Sequence, residues 1–161
     1  MRVRSATSED ATELGRGLKI VVDEKRWLAI QPPVTDAEMA EGIRARLDEG
    51  QKLFALEDDE GGGALVGLIN LRPTRIEGVW SIGMWILAEL RGKGGGRQLV
   101  DAAIEARPRD VHKIELEVWP ENESAIRLYE RAGFEREGLR RDHYRRRDGR
   151  LHSSLIMARL F

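Results

Sequence analysis

The sequence contains no cysteine and only three histidines among its 161 residues. Disulfides, thiolate nucleophiles and cysteine-based metal sites are therefore excluded. The histidines (His112, His143 and His152) show neither an HExxH motif nor a paired spacing, so we expect no metal centre. The formal net charge of −1 gives no overall electrostatic footprint for nucleic acid or for an anionic membrane.

Long apolar runs are also missing. No stretch approaches the roughly 20 apolar residues of a membrane span, and residues 1–17 lack the apolar segment of a signal peptide. We therefore expect a cytoplasmic protein that binds no membrane. A length of 161 residues suits one domain with its own core. Because no linker, repeat or low-complexity tract divides the chain, we treat 1–161 as a single domain.

The first half of the chain reads as a strand, two helices and a hairpin. The short alternating segment RVRSAT predicts the strand. A helix follows to about Trp27, and a second helix runs from Thr35 or Asp36 to about Gly50, where the glycine ends it. Two apolar segments joined by the flexible turn DDEGGG then predict a β-hairpin.

The second half alternates strands with helices. An apolar strand at 79–88 precedes a glycine-rich loop and its helix. The segment KIELEVW at 113–119 alternates between apolar and polar residues, as a half-buried strand does. After a helix that begins near Asn122, a final hairpin turns at RDGR, where Asp-Gly favours a type I′ turn. This order predicts an α/β (α+β) fold with a mixed sheet covered by helices.

Four glycines in five positions separate the strand at 79–88 from the next helix, in LRGKGGGRQLV. Glycines at a helix start let a ligand approach unpaired amides at the positive end of the helix dipole. We interpret the loop as a phosphate site, with a flexible turn as the alternative. The P-loop and Rossmann patterns do not fit, whereas R-x-x-G-x-G does. The candidate residues are Arg91, Gly92, Lys93, Gly94, Gly95, Gly96 and Arg97.

This spacing and the later segment NESAIRLYERAGF together resemble the two signatures of the GNAT superfamily of acetyl-CoA-dependent N-acyltransferases. These are [RQ]-x-x-G-x-[GA], and N-x-x-[AS]-x-x-x-Y followed by G-F. The likeness covers most of the chain and is most specific from about Val79 to Phe134. It implies a single-domain GNAT-type fold, with a central sheet of about seven strands splayed in the middle and about four flanking helices. It also implies acetyl-CoA as co-substrate, without a metal.

The resemblance further implies where acetyl-CoA binds. The strand at 79–88 would carry a bulge and part from the strand at 113–119. The pantetheine arm would then pair with main-chain groups near Met84, Trp85 and Ile86, like an added strand, while the loop amides take the pyrophosphate.

Asn122 has two compatible interpretations. At a helix start it is a good N-cap, and the resemblance implies that it also bonds the pantetheine amide region.

Two residues are candidates for catalysis. The resemblance implies that Tyr129 points at the cofactor sulfur and protonates it or hydrogen-bonds it; a packed aromatic is the alternative. Glu117, on the polar face of its strand, matches the position of a general base in some family members. A solvated carboxylate paired with an arginine or lysine is the alternative there. Glu77 or the EDDE turn at 57–60 could replace it as the base.

The acceptor is less defined. Trp27 and Trp119 could wall its pocket or pack in the core, and seven arginines at 136–150 could receive an anionic group or form a solvated hairpin. We expect a primary amine of a small molecule or amino acid. The alternatives are a protein N-terminus or lysine, as in the ribosomal-protein type, and a non-catalytic acyl-CoA-binding module. Nucleic-acid binding is disfavoured, and exposed terminal strands are compatible with a homodimer.

Overall fold

A computed structural model describes all 161 residues. Seven strands form a single sheet, and four α-helices cover its two faces. The strands are β1 (Arg2–Ser5), β2 (Lys52–Asp58), β3 (Ala64–Pro73), β4 (Val79–Ile86), β5 (Lys113–Val118), β6 (Glu135–Arg145) and β7 (Leu151–Leu160). The helices are α1 (Ala11–Asp23), α2 (Asp36–Asp48), α3 (Gly95–Glu105) and α4 (Glu123–Arg131). The expected fold class is confirmed.

The sheet is mixed, in the order β1-β2-β3-β4-β5-β7-β6. Only β4 and β5 pair in parallel; every other neighbouring pair is antiparallel. The single parallel contact requires a crossover, which α3 provides between β4 and β5. β6 lies at the sheet edge, where a homodimer contact stays a prediction.

Two apolar cores lie on opposite faces of the sheet. One contains α3 and α4 residues such as Leu99 and Ile126, packed on Ile114 and Leu116 of β5. The other packs α1 and α2 against β2 and β3. Because side chains alternate along a strand, the odd-numbered residues of β5, such as Glu117, face the α1 side of the sheet.

Of the two N-terminal helices, α2 begins where the sequence predicts and α1 ends earlier than predicted. Thr35 caps α2 in a capping box, accepting from the Glu38 amide at 3.1 Å, as its sequence favours. α1 ends at Asp23 rather than near Trp27. The chain turns there because Lys25 adopts a left-handed conformation with φ of 55°.

Two further expectations are wrong. β4 carries no bulge, since its pairing with β3 is continuous from Gly67–Ile86 to Pro73–Trp80. The turn of the last hairpin is not type I′, which needs positive φ at both central residues. There the Gly149 amide bonds the Arg146 carbonyl oxygen at 2.9 Å, and Gly149 alone has positive φ, 86°.

Candidate active site

The site begins where β4 and β5 part. These strands pair over three residues only, from Val79 with Lys113 to Ser81 with Glu115. Both continue beyond that point, to Ile86 and Val118, without pairing with each other. The main-chain groups of β4 that face β5 there have no strand partner, so the gap can accept a ligand that forms hydrogen bonds. The splay implied by the resemblance is confirmed.

The glycine-rich loop at residues 92–96 lies at the end of this gap that follows the last residues of β4. Gly94 has φ of 90° and immediately precedes α3. The amides of residues 92–96 donate to no main-chain carbonyl; the first donors are Arg97 and Gln98, both to the Gly94 carbonyl oxygen at 3.1 and 3.4 Å. At Gly94 a Cβ would meet no atom within 4 Å, whereas at Gly96 it would lie 3.0 Å from Leu128 Cδ2. The loop is therefore an open row of amides at a helix start, which suits a phosphate group.

Two of the three basic side chains of the loop, Arg91 and Arg97, have partners within the protein, whereas Lys93 is exposed and forms no ion pair. Arg91 forms two bonds with the Glu24 carboxylate, at 2.8 and 2.6 Å, and donates through Nε to the Ile86 carbonyl oxygen at 2.9 Å. Arg97 pairs with Asp101 and donates to the Arg131 carbonyl oxygen at 3.1 Å. Arg91 thus ties the loop to the end of α1, and the loop amides and the Lys93 ammonium remain available for an anion.

The three candidate residues of β4 line the same cleft. Met84 and Ile86 face the core beneath α3 and α4. Trp85 faces α1, where a Cβ on Gly17 would lie only 2.6 Å from Cη2 of the indole. Glycine at this position therefore allows the Trp85 ring to pack against the main chain of α1.

Asn122 caps α4. Its Oδ1 accepts from the Ala125 amide at 3.3 Å and from the Ser124 hydroxyl at 3.1 Å, which confirms the N-cap interpretation. The residue also lines the cleft. Its second role, toward the pantetheine, stays a prediction.

Tyr129 lies on α4 with a buried side chain that lines the cleft. Burial raises the pKa of its hydroxyl to about 12, with no hydrogen bond contributing. The hydroxyl is therefore neutral near pH 7 and retains its proton for donation to a ligand.

Glu117 is held by three donors. Arg140 donates to Oε1 at 2.5 Å, while the Tyr144 and Ser154 hydroxyls donate to Oε2 at 3.1 and 2.7 Å. These bonds fix the carboxylate on the α1 side of the gap. Both predicted features are present together: Glu117 lines the cleft and is paired with an arginine.

The alternative carboxylates lie elsewhere. Glu57 pairs with Arg2 and Arg4 at the far side of the sheet, and Glu77 lies in the turn between β3 and β4. Glu117 is the one carboxylate among the residues that line the cleft.

Aromatic residues wall the cleft on the α1 side. Trp27 and Trp119 both line it, although Trp119 is 6% exposed and so also packs in the interior. The ring of Tyr144 meets Trp119 edge-on, with centroids 5.1 Å apart. The sequence does not predict that Tyr144 belongs to the site. No local pattern marks this residue within the arginine-rich hairpin, and only the folded position of the hairpin brings it to the cleft.

The cleft joins most of these groups; of the candidate loop residues, Lys93 and Gly95 do not line it. Its volume is about 620 Å³, which falls in the range of small-molecule sites. It runs from the glycine loop through the gap between β4 and β5, passes Tyr129, and reaches Glu117 and the aromatic wall. Two reactants entering from opposite faces of the sheet would meet within the gap.

No group of three or more histidine, aspartate or glutamate side chains is arranged to hold a metal ion. None of the helices has the length and apolar character needed to cross a membrane.

The fold and the cleft are those of the acetyltransferase class of α/β protein, in which two neighbouring strands, here β4 and β5, separate next to a glycine-rich helix start. The model of the acetyltransferase (GNAT) family matches residues 20–134. The chain belongs to this family.

Similar proteins agree with that membership. Mycothiol acetyltransferase of Beutenbergia cavernae is 35% identical over 124 residues, which is 70% of this chain and 41% of that protein. The chain thus spans less than half the length of that relative.

Among solved structures, the ribosomal-protein-alanine N-acetyltransferase of Brucella melitensis has a TM-score of 0.87 at 23% identity, with both chains fully covered. A phosphinothricin acetyltransferase of Sinorhizobium meliloti, in complex with acetyl-CoA, has a TM-score of 0.77 at 20% identity, covering 99% of this chain and 88% of that one. These two likenesses establish the shared fold.

Proposed function

We propose that this protein is an N-acetyltransferase that transfers the acetyl group of acetyl-CoA to a primary amine of a small molecule. The observation that carries the proposal is the single cleft that joins the open amides of residues 92–96, the unpaired edge of β4, Tyr129 and Glu117. The Sinorhizobium relative of the same fold was solved with acetyl-CoA, which supports the choice of co-substrate.

In this proposal the loop and β4 bind the co-substrate through the main chain. The amides of residues 92–96 donate to the pyrophosphate, assisted by the dipole of α3. Main-chain groups on the edge of β4 that faces β5, near Trp85 and Ile86, bond the amides of the pantetheine arm as an adjacent strand would. Asn122 lies at the same gap and adds a bond from its side-chain amide nitrogen.

Tyr129 serves the leaving group. As the amine nitrogen forms its bond to the carbonyl carbon, the carbon–sulfur bond breaks and its electron pair moves to sulfur. The Tyr129 hydroxyl donates to that sulfur and stabilises the developing charge. This assistance acts on the transition state, so it raises kcat rather than affinity.

Glu117 takes the proton that the amine must lose, directly or through a water molecule. Only the neutral amine attacks, and an alkyl amine has a pKa of about 10, so a carboxylate beside it assists. Because Arg140, Tyr144 and Ser154 hold the carboxylate in one orientation, it is fixed toward the gap.

The acceptor in this proposal is small because aromatic and apolar side chains enclose its end of the cleft. Trp27, Leu28 and Ala29 on one side and Trp119 and Tyr144 on the other confine it. Such walls suit an amine that carries an apolar group.

The test is release of free thiol from acetyl-CoA, followed with a thiol reagent, in the presence of pooled small amines or pooled peptides. The proposal predicts release with small amines. Release only with peptides would move the acceptor to a protein terminus or lysine. Acetyl-CoA binding without release from any acceptor would indicate a binding module instead.

A further inference from the structure

The tip of the last hairpin is bonded to the segment between α1 and α2. Arg146 lies in the turn between β6 and β7, yet it is only 8% exposed. Its guanidinium donates to the Leu28 carbonyl oxygen at 2.9 Å and to that of Ala29 at 3.4 Å. No carboxylate pairs with it, so main-chain oxygens of the opposite segment are the acceptors that hold this buried charge.

Gln31 strengthens the same contact from the other side. Its Oε1 accepts from the Arg147 amide at 2.7 Å, and its Nε2 donates to the Arg145 carbonyl oxygen at 3.4 Å. The turn itself is closed by the Arg146 amide, which bonds the Arg150 carbonyl oxygen at 2.8 Å. Arg146 is thus presented from a closed turn, and four hydrogen bonds connect the two segments.

This contact lies directly against the acceptor end of the cleft. Leu28 and Ala29, whose carbonyls Arg146 binds, line the cleft from one side, and Tyr144, two residues before Arg146, lines it from the other. Tyr144 also donates to Glu117. A single guanidinium therefore connects the wall that carries Trp27 with the wall that orients the carboxylate.

We propose that Arg146 is a positioning residue that fixes residues 27–29 as the roof of the acceptor pocket and so selects small amines over extended peptides. A peptide chain leaving the pocket between this segment and the hairpin would meet the bonds that bridge them. The inference rests on the proposed acetyl transfer, because the roof selects an acceptor only if one is acetylated there.

Arg146→Ala removes the contact, and Arg147→Ala is the matched control because the Arg147 side chain forms no hydrogen bond or ion pair while its amide keeps the bond to Gln31. Hydrogen exchange of residues 25–33 should speed up in Arg146→Ala and not in the control. If the roof is then in place about a tenth of the time, KM for the small amine rises about tenfold. KM for acetyl-CoA and kcat should change little.

Two further variants separate positioning from general stability. Arg146→Lys keeps a charge that can reach one carbonyl, so it should restore part of the amine KM. Should Arg146→Ala fail to fold, Gln31→Ala weakens the same contact at a half-buried site and should raise exchange and amine KM in the same direction. The ratio of kcat/KM for peptides to that for small amines should increase in each weakened variant.

Equal exchange and equal amine KM in the Arg146→Ala and Arg147→Ala variants would overturn the inference. If the wild-type protein released no thiol with any amine, the proposed function would fail and the selection of acceptors with it. The exchange data would still decide whether Arg146 holds the segment, so the two failures can be told apart.

Discussion

Replacing Tyr129 by phenylalanine isolates the contribution of one hydroxyl group. The ring is buried beside Phe134, with centroids 5.8 Å apart, and the substitution retains that packing. Because no hydrogen bond contributes to the raised pKa of the hydroxyl, its removal leaves no partner unsatisfied in the free protein. We expect the folded state at pH 7 to be nearly as stable as the wild type.

The size of the catalytic effect follows from the same pKa. A thiol has a pKa of about 8.5, whereas burial raises that of Tyr129 to about 12. Complete proton transfer from the phenol to a thiolate would therefore be uphill by roughly 5 kcal/mol. Tyr129 then acts as a hydrogen-bond donor to the developing thiolate. A bond to a charged group contributes about 1.5–3 kcal/mol, so kcat should fall about 10- to 150-fold.

Steady-state thiol release measures this directly. Tyr129→Phe should lower kcat while KM for acetyl-CoA stays within about threefold, because the lost bond forms mainly in the transition state. An unchanged kcat would remove Tyr129 from the mechanism. A large rise in KM with kcat retained would show instead that the hydroxyl binds the ground state of the co-substrate.

The same variant gives an independent check at alkaline pH. The folded-state pKa of about 12 exceeds the usual tyrosine value of 10.0, so the folded protein keeps the proton where the unfolded chain loses it. This contribution is complete below pH 10 and is lost as pH rises toward 12, by about 3 kcal/mol in total. The stability of Tyr129→Phe, measured by urea unfolding, should therefore decline less over that interval than the stability of the wild type.

Three other substitutions test separate parts of the structure. Glu117→Gln should lower kcat/KM, whereas Glu115→Gln, on the same face of β5 but outside the cleft, should not. An unchanged kcat/KM in Glu117→Gln would assign the proton to another group or to water. Gly94→Ala and Gly63→Ala, at φ of 90° and 85° with open space around each, should both lose about 1–2 kcal/mol of stability, but only the first should weaken acetyl-CoA binding, and equal affinities would refute the loop assignment. Asp10→Asn should flatten the loss of stability between pH 4 and 2, because Arg4 lowers the pKa of that carboxyl from 3.8 to about 2 and its contribution disappears as pH falls through that value; unchanged acid unfolding would contradict this.

Local patterns were sufficient for much of the fold. The alternation in β5 predicted which of its residues are buried, and Thr35 and Asp36 predicted where α2 begins, because both signals act between residues close in sequence. The glycine spacing likewise located the start of α3, where Gly94 needs a left-handed conformation.

The errors arose where distant segments decide the local conformation. Helical periodicity continues past Asp23, yet the chain turns at Lys25 and the segment that follows is bonded to the hairpin tip instead. Arg146 was read as one of seven similar arginines, because burial against carbonyls more than a hundred residues away leaves no trace in local sequence.

The splay and the glycine loop together form a stronger argument than either does alone. Main-chain groups in a folded protein usually have partners, yet the edge of β4 that faces β5 has no strand partner beyond Ser81, and the amides of residues 92–96 have no main-chain acceptors. The two sets lie in one cleft whose walls are largely apolar. Water could form hydrogen bonds with the polar groups, but it would make no favourable contact with the apolar walls. A ligand that suits both has an extended arm with amide groups, an apolar contact surface and an anionic end, in that order along its length. Acetyl-CoA has this order of groups, and the thioester at the end of its arm would then lie between Tyr129 and Glu117.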